Sequence, residues 1–311
     1  MKRIIMTTVV SLAMILAVTN AAAAIVSTSS TIEVIDPPPS VVPGALESND
    51  YIRVFPEQRA LWLSSAIMVD FAAPGTYDAP VDLPASPPVV QAGTWVNSYY
   101  LHSDQAGEGG SRLFKGTITF DTPILGVMIT SDRLLATNSL LGAATTTYPA
   151  TGGLELSACT NSAAQDCVTL TAPATLTIKL TTWNVTDSLR VITQAVAPVT
   201  IDIKPGSDSN CVNDDGRGVI PVAILGSPVV NIARIDPASV SLEGLAVKVV
   251  GKSDRLLASS EDVNADGFMD LVVQIQDADG AFTPGSTHAT LTGRFTDGAP
   301  FSGTDLICIV P

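Results

Sequence analysis

Histidine is almost missing from this chain. Two are present among 311 residues, His102 and His288. A Ser-His-Asp triad or a histidine-based zinc centre would have to use one of them. The nucleophile elbow G-x-S-x-G, the zincin motif and the phosphate-binding P-loop are all absent. Cations are also few, 16 against 30 acids, for a net charge of −14. Removing residues 1–24 takes away two cations and no acid, which leaves −16. Such a surface repels phosphate backbones, so neither nucleic acid nor an anionic membrane is expected as a partner. It suits solubility and divalent cations instead. Aromatics make up 5 % of the residues.

Cysteine is scarce as well. Cys159, Cys167, Cys211 and Cys308 lack C-x-x-C spacing and lie far in sequence from both histidines, which argues against a zinc site. An even count in an exported chain points to disulfides, and four cysteines allow three pairings. Locality favours Cys159 with Cys167, which leaves Cys211 with Cys308. On the loop-entropy model, a closed loop of about 100 residues contributes up to roughly 4.7 kcal/mol.

Long apolar runs are confined to the start. Lys2 and Arg3 precede an apolar stretch from Ile4 to Val18, and small residues follow from Ala21 to Ala24. This is the layout of a cleaved secretory signal peptide, with an uncleaved anchor as the alternative. A bilayer span needs about 20 apolar residues, and no later segment supplies them. The mature chain is expected to be secreted, periplasmic or at the cell surface, without a membrane span.

What remains is rich in Thr, Val, Ile and Ser, with 23 glycines and 21 prolines. Strand-like runs recur between turn residues, among them Tyr51–Phe55, Ala60–Phe71, Thr94–Leu101, Arg112–Phe120, Thr175–Leu180 and Leu189–Thr193. A second set includes Thr200–Ile203, Gly218–Leu225, Ser239–Leu242, Leu271–Ile275, Thr287–Thr292 and Leu306–Val310. No long helical periodicity follows the signal. The expectation is an all-β chain of two β-sandwich domains in tandem after the signal peptide. Residues 1–24 are read as signal peptide, 25–44 as an N-terminal segment with a Pro-rich spacer, 45–197 as one sandwich and 198–311 as the other. The hexapeptide SDRLLA occurs at 131–136 and again at 253–258, in unlike surroundings, and reads as coincidence.

The most specific pattern is D-x-N-x-D-G-x-x-D over 262–270. A hard cation such as Ca²⁺ takes six to eight oxygens at about 2.3–2.6 Å. Asp262, Asn264, Asp266 and Asp270 place oxygens on alternate positions, Phe268 can offer its backbone carbonyl, and Gly267 permits the sharp turn. The bidentate Glu of an EF-hand is replaced by Val273, and a strand follows where an EF-hand has a helix. The acidic stretch Asn213–Gly216 reads as a β-turn.

These strings carry a resemblance. IDIKPGSDSNCVNDDGRGVIPVAILGS, IDPASVSLEG, EDVNADGFMDLVV and ATLTGRFTDGAPFSGTDLICIV, in that order over Thr200–Val310, resemble a domain near the C-termini of many uncharacterised secreted bacterial proteins. The loop is similar to the calcium loops of FG-GAP and related extracellular repeats, here in one copy. The resemblance implies an extracellular β-domain with calcium at Asp262, Asn264, Asp266, Phe268 and Asp270, and no established catalytic role. The first half, around RVFPEQ and VNSYYLHSDQAG, looks more loosely like another exported β-module.

In Thr94–His102 the strand period puts Trp95, Asn97, Tyr99 and Leu101 on one face, read as core. Val96, Ser98, Tyr100 and His102 share the other face. There Tyr100 and His102 are expected to meet solvent as candidate ligand-binding residues. His102 is also the better of the two histidines for catalysis, since His288 reads as structural. The expected function is an exported, non-enzymatic extracellular or cell-surface β-protein with structural Ca²⁺ and an adhesion or matrix role. Its partners would be an extracellular glycan or a surface protein. Two rivals stand beside it, a carbohydrate-binding protein and an extracellular hydrolase acting on polymer.

Overall fold

The computed structural model describes residues 25–107, 110–159, 166–171, 173–182, 186–207, 209–283 and 285–310. The expected signal peptide and most of the loop between Cys159 and Cys167 lie outside them. Within the described residues the protein is all-β, with one short α-helix, Ser131–Leu141.

Residues before Gln194 build two five-stranded sheets. The first runs Ile25–Thr28, Arg112–Phe120, Thr175–Thr182, Cys167–Thr171, Gly75–Tyr77, antiparallel throughout. Its alternation is plain in Arg112–Phe120, where Phe114, Ile118 and Phe120 are buried. The intervening threonines join Thr117 to Thr177 and Thr119 to Thr175 across the outer face, at 3.1 and 3.0 Å. The period of two is what sorts these side chains between core and water.

The second sheet runs Ile32–Val34, Ile52–Trp62, Trp95–Asp104, Thr186–Gln194, Ile124–Met128. Its central strands are buried on both faces. Tyr99, Leu101, Leu189 and Val191 pack against Phe114, Ile118 and Ile178 of the first sheet. On the far side Val96, Tyr100 and Ile192 join a separate cluster with Val41, Leu134 and Leu141. The helix lies there, burying Leu134, Thr137 and Leu141 at spacings of three and four.

That third layer overturns one expectation. Tyr100 and His102 are 2 % and 0 % exposed, so they do not face solvent. The helix and the segment around Val41 pack on that face against Tyr100. Residues 36–43 are likewise no free spacer. Val41 is wholly buried, its amide donates to the Thr147 carbonyl at 2.9 Å, and the Thr147 amide donates to Pro39 O at 3.0 Å.

After Ala197 the chain forms other sheets. One is ordered Ala197–Pro198, Pro300–Leu306, His288–Phe295, Ile235–Leu242, Leu245–Ala246. Another is ordered Ile201–Ile203, Val219–Ile224, Asp270–Gln276, Ala258–Glu261. A single buried apolar cluster drawn from Ala197 to Ile307 lies with them. Cys211–Asn213 pairs in parallel with Cys308–Val310, and a disulfide joins Cys211 to Cys308. The other disulfide joins Cys159 to Cys167, the pairing that locality favoured.

Candidate metal centre

The loop 262–269 connects two antiparallel strands, with Glu261 directly opposite Asp270 in the ladder. The chain must therefore reverse within eight residues. Ala265 and Gly267 do so with positive φ, 59° and 88°. Glycine takes that conformation without steric cost. The side chains then fold inward onto the loop's own amides. The Asp266 amide donates to Asp262 Oδ1 at 3.2 Å and to Asn264 Oδ1 at 3.1 Å. The Gly267 amide donates to Asp262 Oδ2 at 3.0 Å, and the Phe268 amide to Asp266 Oδ1 at 2.8 Å.

Two of the expected ligands, Asp262 and Asn264, thus converge on one amide, with Asp266 beside them. These all-oxygen donors suit a hard cation. Asp270 sits apart. It is fully buried, its Oδ1 accepts from the Gly226 amide at 2.7 Å, and its Oδ2 accepts from the Val263 amide at 2.8 Å. Its carboxylate fastens the base of the loop to the neighbouring chain. Phe268 is exposed. The fit to the expected set is therefore partial: Asp262, Asn264 and Asp266 gather on the loop's own exposed amides, while Asp270 is buried at the base and held by the Gly226 and Val263 amides. The turn at 213–216 is separate. Asp214 accepts from the Ala281 amide at 3.0 Å and Asp215 from the Arg217 amide at 3.0 Å, so these acids brace loops.

A different acidic group converges more tightly. One oxygen each of Glu155, Asp166 and Asp187 lies within 4.8 Å of the others. The loop carboxylates form no such trio among the described residues. Asp166 and Asp187 are buried, while Glu155 is exposed. Asp166 Oδ1 accepts from the Thr181 amide at 2.9 Å and its Oδ2 from the Glu155 amide at 3.1 Å. Burial, and then the neighbouring negative charges of Asp166 and Glu155, push Asp187 far above the usual carboxylate range. Asp166 is also raised, by burial chiefly, against the pull of its two amide donors. The sequence reading missed this group. The signal was present: Asp166 and Asp187 each stand two residues before a core residue, Val168 and Leu189, and so share its inward parity.

His102 and Tyr100 are placed elsewhere, on the opposite face of the sheet. Tyr100 is pushed up to about 12, chiefly by burial. Burial lowers His102 to about 4. Its Nδ1 lies 3.0 Å from Ser188 Oγ, and its Nε2 has no partner among the described residues. A Ser–His contact exists, but both residues are wholly buried, closed to a polymer substrate. His288 is exposed at the start of a strand, its Nδ1 3.0 Å from Thr287 Oγ1.

One surface recess carries aromatic rings. The Trp62 and Trp95 rings lie 5.3 Å apart, beside a cavity of about 160 Å³ that Gln194, Asn231, Arg234 and Asp297 also line. Arg234 pairs with Asp297 and stands over the Phe295 ring, 5.7 Å from its centroid. No family model, no curated protein and no solved structure matches this chain.

Proposed function

We propose that this chain is an exported, non-catalytic β-protein of two β-sandwich domains in tandem, working outside the cytoplasmic membrane in a surface, matrix or adhesion role. The loop 262–270 holds one structural Ca²⁺ in the second domain. The observation that carries this reading is the convergence of Asp262 and Asn264 on the Asp266 amide, which gathers hard oxygens at one point. Two disulfides and the absence, among the described residues, of a helix able to cross a membrane are compatible with an extracellular setting. The tandem arrangement is supported by strand membership, since among the described residues no sheet combines strands up to Gln194 with strands from Ala197 onward.

A structural ion acts by mass action. At ten times Kd it contributes about 1.4 kcal/mol. For a domain of roughly 100 residues that is a rise of about 5–10 °C in Tm. The test is thermal unfolding in EGTA and in millimolar Ca²⁺, with disulfides intact. The transition of the second domain rises with Ca²⁺ in the parent and stays put in Asp266→Ala. An equal rise in both proteins would remove the loop from consideration.

The recess at Trp62 and Trp95 favours a second reading, in which the chain binds carbohydrate. Indole faces stack on the apolar faces of sugar rings, and the neighbouring amide and charged groups would bond to hydroxyls. Glycan-array binding lost in Trp62→Ala, with an unchanged circular dichroism spectrum, supports it. Equal array signals from parent and variant reject it.

A further inference from the structure

At one end of the space between the two sheets of residues 25–194, apolar side chains give way to acids. Val168 and Leu170 belong to the core between the sheets, and the same parity carries Asp166 inward two residues earlier. Leu189 and Val191 do the same from the facing sheet, and parity carries Asp187 inward. The two carboxylates therefore meet from opposite layers. Glu155 joins them from the rim, one oxygen of each lying within 4.8 Å of the others.

Two further facts separate this group from an ordinary acidic cluster. Asp187 is 1 % exposed, yet its Oδ2 has no hydrogen-bond partner among the described residues. Directly across the antiparallel ladder stands Ser103, wholly buried, and its Oγ has no partner either among the described residues. Opposed residues of such a pair share a face, with Cβ atoms about 4.5–5.5 Å apart. Each such buried group gives up the hydrogen bonds it would make in water and receives none in return. The charges acting on Asp187 are those of Asp166 and Glu155, both negative.

We propose that Glu155, Asp166 and Asp187, with the Ser103 hydroxyl beside Asp187, form a second site for a hard divalent cation. The donors are oxygen only, three of them carboxylates, which is the ligand chemistry of Ca²⁺ and not of thiolate- or imidazole-seeking metals. Asp166 and Asp187 come from different sheets, so the ion cross-links the two layers at their end. Exposed Glu155 supplies the entrance. The site shares no residue with the loop 262–270.

Equilibrium dialysis against radioactive Ca²⁺ tests this in the Asp266→Ala background, where the loop is disabled. Salt at 0.15 M screens diffuse attraction to the acidic surface. That protein binds one Ca²⁺ saturably, and adding Asp187→Asn abolishes it. Adding Glu155→Gln weakens it about tenfold, as expected for loss of one charged ligand. Glu155 is exposed, so its variant decides the matter even if Asp187→Asn does not fold, which near-ultraviolet circular dichroism reports. The proposal is overturned if Asp266→Ala binds no saturable ion, or if Glu155→Gln and a folded Asp187→Asn bind as before. The acids would then be a carboxyl group sharing protons. Because loop and trio are removed separately, failure of one reading leaves the other standing.

Discussion

His102 sits where water cannot reach its ring, and that position sets its response to acid. An unfolded histidine takes up a proton near pH 6.5, whereas folded His102 does so only at about 4. Between those values the unfolded state binds more protons. Stability from this residue is therefore whole above pH 6.5 and is lost as pH falls toward 4. Asp166 and Asp187 slope the other way, because burial raises them. The parent's own curve thus mixes opposite trends, and the difference from a variant isolates the histidine. Urea unfolding at several pH values should show the stability of parent minus His102→Gln shrinking by about 3 kcal/mol from pH 7 to pH 4. A pH-independent difference would mean that the ring is hydrated or already paired. Residue roles were the least legible part of the sequence. Alternation correctly divided Trp95–Asp104 into two faces. It could not reveal that a helix thirty residues later in the chain would pack on the second face, against Tyr100. Asp270 shows the same limit: the spacing marked it as an oxygen donor, but spacing carries no sign of the Gly226 and Val263 amides that claim it.

At the scale of elements, the helix Ser131–Leu141 is fastened to the sheet by charge. Arg190, wholly buried, donates from Nε and Nη2 to the two oxygens of Glu57, at 2.6 and 2.7 Å. Its Nη1 reaches Thr137 Oγ1 at 2.6 Å and its Nη2 reaches Asn138 Oδ1 at 2.9 Å, both on the helix. Ser98 Oγ donates to Glu57 Oε2 at 2.6 Å. Breaking such a pair strands a charge in a dry interior. Glu57→Ala should cost about 3–5 kcal/mol in urea unfolding, and Glu57→Leu with Arg190→Met together should cost clearly less. Equal losses would show that packing volume, not the stranded charge, dominates. The helix itself was not legible, since its inward face is only Leu134, Thr137 and Leu141 and the middle one is polar. The repeated hexapeptide makes the reason concrete. SDRLLA at 131–136 opens this helix, while at 253–258 it passes through a turn, with Asp254 at φ 49°, into Arg255–Leu256 paired with Val249–Val250. Six identical residues adopt two conformations, so their surroundings decide. The strands were far more readable, because their period of two is written into the pattern of Thr, Val and Ile. Arg112–Phe120 has the bounds its sequence suggests. Ile25–Thr28, Ile32–Val34 and Cys167–Thr171 went unread because they are short.

For the whole molecule, composition foretold the all-β character, and the even cysteine count foretold two disulfides. Layer number was hidden, since nothing local distinguishes a sheet covered once from a sheet covered twice. The bond between Cys211 and Cys308 has a consequence of another kind. It joins strands at opposite ends of the second half, 97 residues apart in sequence. A pull applied to the two ends of that half is taken first by Ala197–Pro198 and Ile201–Ile203, which precede Cys211, and then reaches the disulfide. From Cys211 onward the load passes through a covalent link and bypasses the chain between the two cysteines. Stretched out, the bypassed chain would measure about 340 Å at roughly 3.5 Å per residue. Oxidised, the second half bears tension without lengthening by that amount; reduced, it can pay out the whole reserve.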